Sequence, residues 1–71
     1  MNKYTAIENR FGSIEIRTNN ETVFYLQYEN DIGGFYDSLN NDDSYMISHG
    51  FEIDISNNQI LVDYIDANIL P

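Results

Sequence analysis

The chain has 71 residues, no cysteine, three Lys and Arg against twelve Asp and Glu, and a net charge of −9. That length allows a single domain, residues 1–71, burying about 60% of its unfolded surface, and the missing cysteines exclude a disulfide framework and a Cys-based zinc site. Three bases do not neutralise the field of twelve acids, so direct nucleic-acid binding is disfavoured and a basic protein partner is favoured.

Residues 4–8 alternate loosely and predict a first strand, closed by Asn9 to Gly12. Residues 13–18 alternate cleanly, with Ile14 and Ile16 on one face and Glu15 and Arg17 on the other. Asn19-Asn20 follows, and Asn tolerates the positive φ of a two-residue hairpin turn. Residues 22–29 are β-branched and aromatic on both faces, the pattern of a central strand covered on each side. A two-residue turn then sets Ile16 opposite Val23, Ile14 opposite Tyr25, Glu15 opposite Phe24 and Arg17 opposite Thr22.

Ile32, Phe35, Tyr36 and Leu39 fall at i, i+3, i+4 and i+7, which predicts one short helix capped by Asn30. Gly33 and Gly34 each weaken it by about 1 kcal/mol. Residues 40–43 predict an acidic loop, and 45–48 fit either a short strand or a turn. Residues 51–56 and 59–66 predict a second hairpin around Asn57-Asn58, with Phe51, Ile53 and Ile55 opposite Tyr64, Val62 and Ile60. The tail, 67–71, is expected to dock Ile69 and Leu70 or to fray. The expected fold is therefore α+β: a small antiparallel sheet of two hairpins plus an N-terminal strand, with one short helix packed on it. No stretch approaches the roughly 20 apolar residues of a membrane helix, and residues 1–17 lack a leader's apolar run. No membrane role and a cytoplasmic location are expected.

Charge is distributed unevenly. Lys3, Arg10 and Arg17 are the only bases, and the remaining 54 residues carry ten carboxylates. The Asn, Ile and Tyr content points to an AT-rich gene, which normally supplies Lys in quantity, so the shortage of cations reflects selection for acidity. Halophilic adaptation fits that composition poorly. In the expected hairpin Glu52 lies across from Asp63 with Asp54 two residues along, and carboxylates at i and i+2 stand roughly 6.5–7 Å apart. That is of the order of phosphate spacing on a nucleic-acid strand. Like charges opposed in a sheet cost stability, so this face, with Asp42 and Asp43, is the expected partner-binding surface. Asp31 and Asp37 on the helix support it, and Tyr36 and Tyr45 flank the acidic loop as candidate anchors.

No catalytic site is expected. His49 is the only histidine and has no nucleophile placed beside it. Gly33-Gly34 lacks a phosphate-loop context. The acidic stretches lack the spacing of a calcium loop, so neither a metal nor a cofactor is expected.

A short, acidic, Tyr-containing, cysteine-free chain resembles the small inhibitor proteins of phages and mobile elements, among them anti-CRISPR and anti-restriction proteins and DNA mimics. The resemblance covers size, charge and composition over the whole chain; no motif carries it. It implies a stoichiometric inhibitor of a nucleic-acid-binding defence protein, a nuclease or CRISPR effector, in the cytoplasm of a bacterial host. An immunity protein against a basic toxin, or an acidic adaptor, fits the same composition. Charge-driven inhibitors differ from an adaptor in steep salt sensitivity.

Overall fold

The computed structural model describes residues 3–69. Strands β1 (Thr5–Glu8), β2 (Ile14–Thr18) and β3 (Glu21–Leu26) form an antiparallel meander. Helices α1 (Glu29–Asp37) and α2 (Asn41–Ser48) follow, then a two-residue strand β4 (Ile53–Asp54) and a third helix, α3 (Gln59–Ile69). The sheet runs β3-β2-β1-β4, with β4 antiparallel to β1.

Tyr4, Ala6, Ile14, Ile16 and Leu26 line one face of the sheet and are buried there with Phe35 of α1, Ile47 of α2 and Leu61, Val62 and Ile65 of α3. The three helices therefore cover one face in a two-layer arrangement. On the other face Thr5, Ile7, Glu15, Arg17, Thr22 and Tyr25 remain half-buried or exposed. Among the described residues, no helix is long and apolar enough to cross a membrane.

The first hairpin forms around Asn19 and Asn20, whose φ angles of 53° and 64° give the left-handed turn that matches strand twist. Arg17 pairs with Thr22 as the turn predicts, but an irregularity after Ile16 shifts the register, so Ile16 faces Phe24, Glu15 faces Tyr25 and Ile14 faces Leu26. Val23 is the extra residue. Its displacement turns Phe24 and Leu26 toward the core and leaves Tyr25 outside. β3 is an edge strand, not the central strand its composition suggests, and because the helices cover one face alone, Val23 and Tyr25 are exposed on the other.

The expected single helix and second hairpin are overturned: the described residues form three helices. In α3 the side chains that reach the core are Leu61, Val62 and Ile65, with Ile69 partly buried, a helical period. The Ile60, Val62, Tyr64 alternation that suggests a strand places Ile60 and Tyr64 in solvent. Asn58 does not turn a hairpin. Its side chain accepts the Leu61 N–H at 3.1 Å and its carbonyl accepts the Val62 N–H at 2.9 Å, an N-cap. β4 stops because the Asp54 carboxylate accepts the Ser56 N–H at 2.7 Å, bending the chain in an Asx turn.

The predicted acidic loop and the ambiguous 45–48 stretch are together α2. Asn40 caps it by accepting the Asp43 N–H at 2.8 Å. At its other end Gly50, at φ 86°, donates to the Ile47 carbonyl while Phe51 N–H reaches Met46, a Schellman ending. α1 starts one residue before Asn30: its cap is Tyr28, without a side-chain hydrogen bond. Its Phe35 is buried and Ile32, Tyr36 and Leu39 pack against the core, the predicted face. Of the expected tail contacts, Ile69 packs on the core, and Leu70 lies outside the described residues.

Candidate protein-interaction surface

The two layers differ in charge. The helices contain Glu29, Asp31, Asp37, Asp42, Asp43, Asp63 and Asp66 and not one Lys or Arg. The bases belong to the other part of the fold: Lys3 before β1, Arg17 in β2, and Arg10 in the loop between them, with its guanidinium 4.9 Å above the Phe11 ring. Acidity is therefore a property of the helical layer.

Some of these carboxylates also serve the helices. Glu29 and Asp31 in the first turn of α1, and Asp42 and Asp43 in that of α2, face the positive ends of their macrodipoles. Asp37 does the opposite, since it ends α1 at the negative pole with no base in that last turn. Asp63 is exposed on α3 and accepts from the Gln59 amide at 2.7 Å.

Two clefts open in this layer. One, of about 600 Å³, is lined by Asn40, Asp43, Asp54 and the Asn57–Gln59 stretch. The second, about 250 Å³, lies between α1 and α3 over Leu26, Phe35 and Leu61, with Asp31 on its margin. Ile60 lines both and is 75% exposed.

The ladder of Glu52, Asp54 and Asp63 does not exist, because Asp63 is helical. Glu52 belongs to the outer face of the sheet, where it accepts the Thr5 hydroxyl at 2.6 Å and lies 3.5 Å from Arg17 Nε. There Arg17 also donates to Thr22 at 2.9 Å, and Thr22 donates to Glu15 at 2.9 Å. The Asn9 amide and the Thr22 hydroxyl, with Arg17 adding, hold the Glu15 carboxyl below its usual range. Asp54 is likewise lowered, chiefly by the Ser56 backbone N–H and hydroxyl and further by Lys3. Both depressed carboxylates contribute stability above their ordinary range that is lost as pH falls through their folded values. Of the predicted acids the structure thus joins Asp43 and Asp54 at one cleft, sets Asp31 at the next, leaves Asp37, Asp42 and Asp63 exposed, and assigns Glu52 to the mixed-charge sheet face.

The two predicted aromatic anchors differ. Tyr45 is exposed, with its ring stacked on His49 at 4.0 Å and its carbonyl 2.7 Å from His49 Nδ1. Tyr36 is half-buried and donates its hydroxyl to Glu8 at 2.7 Å, which makes it a bridge from α1 to β1 and not a free anchor. Burial above all, then the Glu8 carboxylate, pushes its phenol well above the ordinary value of 10. A raised phenol contributes stability that is complete below pH 10 and lost as pH rises beyond it. Urea unfolding from neutral to strongly alkaline pH is expected to show a steeper loss above pH 10 in the wild type than in Tyr36→Phe, a variant about 1.5 kcal/mol less stable at neutral pH, the low end for a bond to a charged group because the site is half-buried. Parallel slopes for the two proteins would remove that role from Tyr36.

The residue most underrated by sequence reading is Ile60, with Tyr64. Placed on a helical wheel the pair stands at i and i+4 beside the Leu61–Ile65 stripe, a second apolar row left outside the buried core, with the Tyr64 ring meeting Phe24 edge-on at 6.3 Å. Among the described residues, no three His, Asp or Glu side chains gather as a set able to hold a metal ion. Comparison with protein-family models, with curated proteins and with solved structures gives no match.

Proposed function

We propose that the protein is a non-catalytic, stoichiometric inhibitor of a nucleic-acid-binding protein, a nuclease or CRISPR-type defence complex, acting in the bacterial cytoplasm. Its helical layer occupies the Lys/Arg groove that otherwise holds phosphates. The observation that supports this reading is the segregation of charge: seven carboxylates and no base on the three helices. A field of one sign steers a basic partner into encounter and repels nucleic acid. Asp31, Asp37, Asp42, Asp43 and Asp63 carry the charge, with Asp54 at the cleft it shares with Asp43. Glu52, compensated by Arg17, contributes to the sheet instead.

The test is affinity capture from a bacterial lysate at low ionic strength, followed by competition with duplex DNA. The expected result is a captured protein that binds DNA, is displaced by DNA, and is released as salt rises past the Debye regime of about 0.1 M. Capture only of a basic toxin without nucleic-acid affinity would replace this partner class with that of an immunity protein. Capture indifferent to salt and DNA would end the charge-mimicry reading.

A further inference from the structure

The cleft between α1 and α3 is apolar where the layer around it is acidic. Its floor is Leu26, Phe35 and Leu61, its wall is Ile60 and Tyr64, and Asp31 stands at its margin. At about 250 Å³ it is below the roughly 300–1,000 Å³ of ordinary small-molecule sites, a size suited to a single inserted side chain. Beyond Ile60 the neighbouring cleft presents Asp43 and Asp54. An exposed Ile at the junction of two clefts, with carboxylates to either side, is the arrangement of a buried anchor with a charged rim.

We infer that this cleft binds a basic segment of the partner through one apolar side chain, with Lys or Arg on either side of it meeting Asp31 in one direction and Asp43 and Asp54 in the other. The inference rests on the inhibitor reading above and adds what charge alone does not specify: where the partner is anchored and what residue it must supply. Charge complementarity selects the occupant. A second copy of this chain carries the same −9 and offers only Lys3, Arg10 and Arg17, the last already compensated by Glu15 and Glu52, so self-association sets a predominantly acidic surface against another.

Gly34 provides a test that leaves the charge unchanged. It lines the cleft, and a Cβ built on it meets nothing within 4 Å. Gly34→Leu therefore fills the cleft while improving helix propensity, so the variant is expected to fold, as circular dichroism will check. The probes are three synthetic peptides of equal length: Lys and Arg around a central Leu, the same with Ser for Leu, and the first with Glu for every base. Binding is read by amide chemical shifts and titration at low salt. The anchored basic peptide is expected to bind about tenfold or more tightly than its Ser version, to shift Leu26, Gly34, Ile60 and Tyr64, and to lose a similar factor against Gly34→Leu. Ile60→Ser, at an exposed position, is expected to weaken it severalfold without unfolding.

Equal binding of the two basic peptides, or full binding to Gly34→Leu, would sink the anchor while leaving the charge reading intact. Failure of every basic peptide to bind the wild type would count against both. Tightest binding of the acidic peptide, or concentration-dependent shifts of the same amides in the protein alone, would overturn the assigned occupant.

Discussion

Replacing Tyr4 by Ala is expected to remove about half or more of the protein's folding stability. Tyr4 is fully buried, immediately before β1, where three parts of the fold meet. Its N–H donates to the Ser56 hydroxyl at 2.9 Å and its carbonyl accepts the Ile55 N–H at 3.0 Å, which holds the end of β4 against the sheet. Its hydroxyl donates to Asp66, which holds α3. Truncating a buried aromatic costs about 3–5 kcal/mol, and a domain of this size has only roughly 4–10 kcal/mol in total. Tyr4→Phe keeps the ring and loses one hydrogen bond to a charged group, a cost of about 1.5–3 kcal/mol. Urea unfolding is expected to rank wild type above Tyr4→Phe above Tyr4→Ala. A cooperative Tyr4→Ala transition near the wild-type midpoint would mean that the joint among β1, β4 and α3 is not where stability resides.

How much of this fold is legible in the sequence depends on which signal dominates each segment. The dipeptide Asn-Asn occurs between apolar runs at 19–20 and at 57–58, and has opposite outcomes. At Asn19-Asn20 both flanks are short and the first alternates, so the left-handed turn closes a hairpin. After Asn57-Asn58 an eleven-residue helix runs to Ile69, longer than a typical strand. Its β-branched composition hides a core stripe at 61, 62, 65 and 69 that only the helical period exposes. Residues 40–50 carried clear end signals, Asn40 with Asp43 and Gly50. Their apolar pattern is weak because α2 buries Ile47 alone, so periodicity could not reinforce the caps. The register error at β3 has another origin: a bulge is a tertiary choice, made so that Phe24 and Leu26 reach the core.

The same distinction bears on the candidate surface. The concentration of acid after residue 17 was visible from the sequence, and Asp31, Asp37, Asp42, Asp43 and Asp63 retain their place in the proposed contact. The face assigned to them was wrong because it depended on a hairpin. Glu52 illustrates this best: in sequence it is one acid among many, yet folding sets it 3.5 Å from Arg17, a residue 35 positions earlier. The apolar cleft was not legible at all, since it requires α1 and α3 to lie side by side.

Removing charge from Asp37 and Asp63 should separate stability from binding, with the larger effect on binding. Asp37 sits at the negative end of α1, where a carboxylate is unfavourable by about 0.3–1 kcal/mol. Asp63 is exposed, with Gln59 as its hydrogen-bond donor. Asp37→Asn with Asp63→Asn is therefore expected to leave the urea midpoint unchanged or slightly higher. Adding Asp31→Asn, Asp42→Asn and Asp43→Asn discharges two helix N-termini and should lower the midpoint, since each loses a favourable dipole interaction of about 0.3–1 kcal/mol. If the acids served only their helices, partner affinity would follow stability, unchanged in the double variant and reduced in the quintuple one. As a contact surface they give another pattern: affinity at low salt falls severalfold in the double variant despite its intact fold. In the quintuple variant it falls by about a hundredfold, mainly through slower association and with a flattened salt dependence. Titrating each protein against the captured partner at two ionic strengths measures this. An Asp37→Asn, Asp63→Asn protein that binds like the wild type at low salt would confine those two acids to solubility and move the contact elsewhere on the molecule.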